Sequence, residues 1–180
     1  MISTRNRKVK YALGIIQHFN PKEYWKMREY CLNINESSSF LKKLKAYWYL
    51  FKIKRADAFN NASLGTNIGF GARFANQPRF AHGLNGIIIS PYAVIGKDAY
   101  IFQQVTIGDD GIDYHNVPVI GDNVTIYAGA KVVGKIHIGD GAKIGANAVV
   151  NFDVPPHSIV CPIKSVVKQL RNTEKIVEER

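Results

Sequence analysis

Residues 119–150 read "VIGDNVTIYAGAKVVGKIHIGDGAKIGANAVV", and from Ile120 onward they count in sixes. The units are IGDNVT, IYAGAK, VVGKIH, IGDGAK and IGANAV, and VNFDVP follows from Val150. The first position is Ile or Val, the fifth is Ala, Val or Ile, and glycine is frequent at the second. A period of six with these constraints predicts a parallel β-helix of hexapeptide repeats. Each six supplies one short strand and a tight turn, and three sixes make one coil of a triangular prism. The opening aliphatic residue points inward, and the smaller fifth residue fits near a corner. The glycine is expected to tolerate corner dihedrals and crowding. One six cannot bury its apolar side alone, so the coils must stack. Ordinary β-hairpins are the alternative, which alternation sustained in sixes disfavours.

The same count runs back toward the N-terminus, through IGFGAR from Ile68, FANQPR, then ISPYAV from Ile89, IGKDAY, IFQQVT and IGDD. It breaks twice. In "RFAHGLNGIIIS", residues 79–90, nine residues separate Phe80 from Ile89, so three extra residues bulge beside His82. Between Ile107 and Ile120 the interval is 13, and this insertion carries Asp109, Asp110, Asp113 and His115. Breaks in an economical repeat commonly mark function. His82 is third in its six, so its side chain is expected to point away from the prism. The pattern alone also allows a plain surface histidine in a loop. The three aspartates read as a solvated loop, and no metal is expected.

The chain of 180 residues has room for one domain with a modest extension, and 46% hydrophobic content is ample for a core. Cys31 and Cys161 follow no metal spacing and read as reduced thiols. The N-terminus lacks a secretory cleavage pattern, and no apolar run reaches the roughly 18 residues of a membrane span. A cytoplasmic location is expected, with the inner face of the membrane as a further option. Residues 1–60 carry 13 Lys/Arg against 4 Asp/Glu, a balance of +9 out of a total of +10. Nucleic acid is not expected as partner, because no recognition motif is present.

Those first 60 residues read as helical. "NPKE" at 20–23 offers a cap, a proline at the first position and a first-turn glutamate. "SSSFLKKLKAYWYLFKIKR" begins with capping serines and sets Phe40, Leu44, Tyr47, Trp48 and Phe51 on one face. Such a helix packs on its own protein or a sister subunit, or lies on a membrane surface. The organisation read from sequence is a basic helical region at 1–60, a β-helix at 61–162 and a terminal helix at 163–180.

The landmarks "AVIGKDAYIFQQVTIG", "VIGDNVTIYAGAKVVGKIHIGDGAKIGANAVV" and "DVPPHSIV" resemble those of the hexapeptide-repeat acyltransferases, within the serine acetyltransferase branch. The resemblance implies a left-handed β-helix, homotrimers with sites between neighbouring prisms, and acetyl transfer from acetyl-CoA to a hydroxyl. It implies His82 as the base that takes the alcohol proton, since imidazole, with a pKa near ~6.5, accepts one at neutral pH. It places His115 in a loop that reaches the acceptor across the subunit boundary. It implies acetyl-CoA contacts at Gly108, Ala128, Ala146, Lys143 and Lys164. The family's supporting aspartate falls on Asn61, which cannot neutralise an ammonium group. That departure leads to the expectation of a neutral acceptor hydroxyl, on a sugar of a surface polysaccharide. L-Serine as acceptor, and a non-catalytic β-helix scaffold, are the alternatives.

Overall fold

The computed structural model describes residues 19–163. Helix α1 (Pro21–Leu32) starts as the sequence dictates: the Asn20 side chain accepts from the backbone N–H of Lys22 and Glu23, and Pro21 opens the first turn. Helix α2 (Phe40–Phe59) follows. Its N-cap Ser39 makes no side-chain cap bond, and Ser38 instead bonds Asn35. The expected terminal helix lies almost wholly outside the described residues.

The rest is a three-walled stack of parallel strands, about four coils high. The first wall holds β1 (Arg73–Phe74), β4 (Val94–Ile95), β7 (Val119–Ile120) and β10 (His137–Ile138). The second holds β2 (Arg79–Leu84), β5 (Tyr100–Ile101), β8 (Thr125–Ile126), β11 (Lys143–Ile144) and β13 (Ile159–Val160). The third holds β3 (Ile88–Ile89), β6 (Thr106–Gly108), β9 (Lys131–Val133) and β12 (Val149–Val150). Every pairing is parallel and in register, so Ile101, Ile126 and Ile144 stack on the second wall and Ile89, Ile107, Val132 and Val150 on the third. All seven are buried, as are the fifth-position residues Ala93, Ala99, Val105, Val124, Ala130 and Ala142. The arrangement agrees with the left-handed β-helix of hexapeptide repeats.

Two details differ from the reading in sixes. First, the unit drawn from Ile68 is not a wall. Ser63 bridges Ile88 in parallel, which makes buried Leu64 the first inward residue of the third wall. From Leu64 to Phe74 the chain takes ten residues, because Thr66 and Gly71 close an antiparallel hairpin. The hairpin receives α1: Gly69 N–H donates to Cys31 O at 2.9 Å. A Cβ on Gly71 would strike Gly65 O and come within 2.9 Å of Leu32 Cδ2. Glycines required by this contact imitate the repeat.

Second, the left-handed corner dihedrals fall on the fourth position. Asp98, Gln104, Asn123 and Asn147 have φ of 54–60°, and Gly129 and Gly141 share the sign. The second-position glycines serve stacking instead. A Cβ on Gly121 would collide with Asp140 Oδ1 and lie 2.9 Å from Ile138 O in the next coil.

The helices pack through Tyr24, Met27, Cys31, Ala46, Ile53 and Ala56, all buried. The aromatic face of α2 is not the packed one; Phe40, Leu44, Tyr47, Trp48 and Phe51 are exposed. Short Ala46 and Ala56 let α2 approach α1 on the opposite side.

Candidate functional site

Beyond Phe80, strand β2 leaves its ladder with β5, which pairs only Arg79 with Tyr100 and Phe80 with Ile101. The three-residue insertion then forms, held at both ends by buried Leu84 and Ile87. Gly83 and Gly86 reverse the chain with φ of 69° and 66°, the region glycine adopts without strain. Gly86 N–H donates to Asn60 O, and Gln104 N–H donates to Asn85 O, each at 2.9 Å. His82 rides on this anchored turn. It is exposed, as its place in the repeat predicts. Its ring stands edge-on to Phe102 at 6.3 Å, and its nitrogens have no hydrogen-bond partner among the described residues.

His82 sits where the second wall turns into the third. Third-position residues of the following coils lie along the same edge: Gln103, Ala128 and Ala146. Backbone bonds carry the edge downward, Gly129 N–H to Gln103 O at 3.0 Å and Asn147 N–H to Ala128 O at 2.9 Å. Gln103 Oε1 is buried there without a hydrogen-bond partner among the described residues. Sequence reasoning missed Gln103, though its third position shares the register of Ala128 and Ala146. Phe102 continues into a ring stack on the second wall, 4.8 Å from Tyr100 and 5.1 Å from Tyr127.

Gly108 and His115 lie at the opposite edge of the third wall, where it turns into the first. The loop between β6 and β7 is ordered by its own aspartates. Asp110 Oδ1 accepts from Ile112 N–H and Asp113 N–H, and its Oδ2 accepts from the Asn116 amide. The backbone N–H of Asp113, then that of Ile112 and the Asn116 side chain, hold the Asp110 carboxyl below its ordinary range. Asp113 Oδ1 accepts from His115 N–H and lies 3.3 Å from His115 Nδ1. The His115 ring rests on Tyr114 and Tyr92, at 4.1 and 4.8 Å. A cleft of about 710 Å³ separates this cluster from α1, with Trp25, Arg28, Phe74 and His115 among its walls.

Asn61 has a place of its own. It ends α2 in the left-handed region with φ of 48°. Its N–H donates to Ala58 O, while Ala62 N–H donates to Asp57 O at 2.8 Å. Those two bonds form a Schellman cap, and asparagine is the non-glycine residue best suited to its left-handed position. No hydrogen bond joins its side chain to His82. Lys143 projects from the outer face of the second wall, away from both edges, and Lys164 lies outside the described residues. One chain therefore brings His82, Ala128 and Ala146 together, and separately Gly108 and His115.

Residues 118–151 match the model of the bacterial transferase hexapeptide, six repeats. Over 107 residues, 58% of the chain, it is 42% identical to a serine acetyltransferase of Staphylococcus aureus strain Mu50, of which it covers 50%. Residues 118–151 thus carry the repeat of the bacterial hexapeptide transferases, and the chain is similar to serine acetyltransferases. The serine acetyltransferase crystal structure from Neisseria gonorrhoeae superposes with a TM-score of 0.61 at 28% identity, over 94% of this chain and 63% of that one. A serine acetyltransferase solved in complex with CoA gives a TM-score of 0.56 at 26% identity, over 81% of this chain and 55% of that one. This serine acetyltransferase-like chain spans between 50% and 63% of the length of the first curated relatives it matches.

These likenesses overturn the expectation of a polysaccharide acceptor, since the matched relatives are serine acetyltransferases. The inference failed at Asn61. An asparagine there is no evidence about the acceptor, because the residue is placed to terminate a helix.

Proposed function

We propose that the chain is an acetyl-CoA-dependent O-acetyltransferase with L-serine as acceptor. The observation that carries the reading is the exposed imidazole of His82, its nitrogens free of hydrogen bonds among the described residues, held on an anchored insertion of a hexapeptide prism whose matched relatives are serine acetyltransferases. His82 takes the proton from the serine hydroxyl as its oxygen attacks the thioester carbonyl carbon. The tetrahedral intermediate collapses, the carbon–sulfur bond breaks, and the imidazolium returns the proton to the CoA thiolate. O-Acetylserine and CoA leave. Backbone N–H groups of the inserted turn serve the oxyanion.

The working unit in this reading is a homotrimer. His82 and His115 stand at opposite edges of the third wall, so threefold packing sets one protomer's His82 edge against its neighbour's His115 edge. The pantetheine arm lies along Ala128 and Ala146, small residues that leave backbone accessible, with Gly108 supplied by the neighbour. Asp113, beside His115, supplies the carboxylate for the serine ammonium. Release of CoA thiol from acetyl-CoA, measured with purified protein and free L-serine, tests the reading. Serine-dependent release, lost in His82→Ala, is expected; no release above the serine-free rate overturns it.

A further inference from the structure

Helix α2 has two apolar faces, and the fold uses one. At about 100° per residue, Ala46, Ile53 and Ala56 point toward α1, where they are buried. On the far side Phe40, Leu44, Tyr47, Trp48 and Phe51 form a continuous stripe, each between 57% and 77% exposed. Trp48 and Phe51 stack at 5.7 Å, which flattens the stripe. Arg55 falls in line with it. Lys43 and Lys54 lie along one flank, where Lys43 Nζ donates to Glu36 O at 2.8 Å; on the other flank Lys45 lies over the Tyr30 and Tyr49 rings and Lys52 pairs with Glu23 at 2.7 Å.

A broad apolar stripe left in water marks an interaction surface, and the charges around it specify the partner. The sole carboxylate of α2 is Asp57, which is buried against α1. The stripe itself therefore carries rings with Lys54 and Arg55 and no acid, and the Glu23 carboxylate at its flank is taken up by Lys52. A second copy docked on this face would set Lys54 and Arg55 against a helix whose one carboxylate, Asp57, is buried. A bilayer with anionic headgroups matches both features: rings enter the interface while Lys54 and Arg55 meet phosphates. The helix is unsuited to crossing, since among the described residues none is long and apolar enough to span a membrane.

We infer that the exposed face of α2 is an in-plane docking surface for an anionic lipid bilayer. This goes beyond the proposed acetyl transfer and stands without it.

The test uses the full chain and sedimentation with vesicles of phosphatidylcholine, with and without 30 mol% phosphatidylglycerol. Binding to the anionic vesicles, weakened by salt, is expected. Trp48→Ser with Phe51→Ser should reduce partitioning at least about tenfold, as two buried rings are lost. Both side chains are exposed, so circular dichroism should be unchanged. Lys54→Glu with Arg55→Glu should reduce binding to anionic vesicles and leave any residual binding to neutral ones. Trp48 fluorescence should shift to the blue on binding, while Trp25, packed on Phe74 at 5.1 Å, stays fixed. Failure to bind anionic vesicles overturns the proposal. So does binding that the Trp48/Phe51 variant retains, which would place the contact elsewhere. Self-association abolished by that variant, without lipid binding, overturns it in favour of a second copy. The serine-dependent thiol assay reads the other proposal independently.

Discussion

Tyr24 on α1 donates a hydrogen bond of 2.7 Å to Asp57 Oδ1 on α2, inside the seam between the two helices. The other carboxylate oxygen, Oδ2, is buried without a hydrogen-bond partner among the described residues. Burial raises the Asp57 carboxyl to about 6, against the opposing pull of the Tyr24 hydrogen bond, Lys54 and Arg28. A raised acid binds a proton more tightly when folded than when unfolded. Its contribution to stability is present below the unfolded value near ~3.9 and is lost as pH rises through about 6. Urea midpoints measured from pH 4 to 7 should therefore fall through that window, and Asp57→Asn should flatten the slope.

His82→Ala should lower kcat/KM for serine-dependent acetyl transfer by about 10²–10⁴-fold with circular dichroism unchanged, because the imidazole is exposed and lies outside the core. Asp113→Asn should act differently, raising KM for serine more than it lowers kcat. Steady-state kinetics with serine and acetyl-CoA varied separately distinguish the two.

The separation of His82 from His115 on one prism has a kinetic signature. His82→Ala and His115→Ala subunits, each inactive alone, should complement when co-expressed and purified as mixed trimers. Random mixing of equal amounts gives about a quarter of the interfaces both histidines. Activity near that fraction is expected, and none if each prism works alone.

Gly121→Ala should destabilise by about 1–3 kcal/mol, because its Cβ enters space held by Asp140 and Ile138 O of the next coil. Thermal unfolding checks the size. Asn61→Gly should be nearly neutral, since glycine adopts the same left-handed cap.

Period alone located the walls from Phe74 onward, because inward and outward positions must alternate wherever the prism is closed. It misplaced the first unit, since "IGFGAR" satisfies the pattern by composition while Gly71 answers to Leu32 and Gly65 and Gly69 to Ile34 O. The exposure of His82 was legible from its third position. Gln103 was equally legible by register and was overlooked because glutamine carries no chemistry of its own. The helix cap at Asn61 was not legible, because a cap and a polar site residue look alike in sequence. The solvent-facing stripe of α2 was invisible as such; the pattern showed two usable faces, and only the fit of Ala46 and Ala56 against α1 chose between them.

A stack of parallel strands is open-ended by nature, because each rim repeats the surface on which the next layer grew. The hairpin closed by Thr66 and Gly71 interrupts that self-similarity at the top and seats a helix across it. The helical pair thus acts as a stopper: it gives the rod a finite length and denies stray copies a growing end.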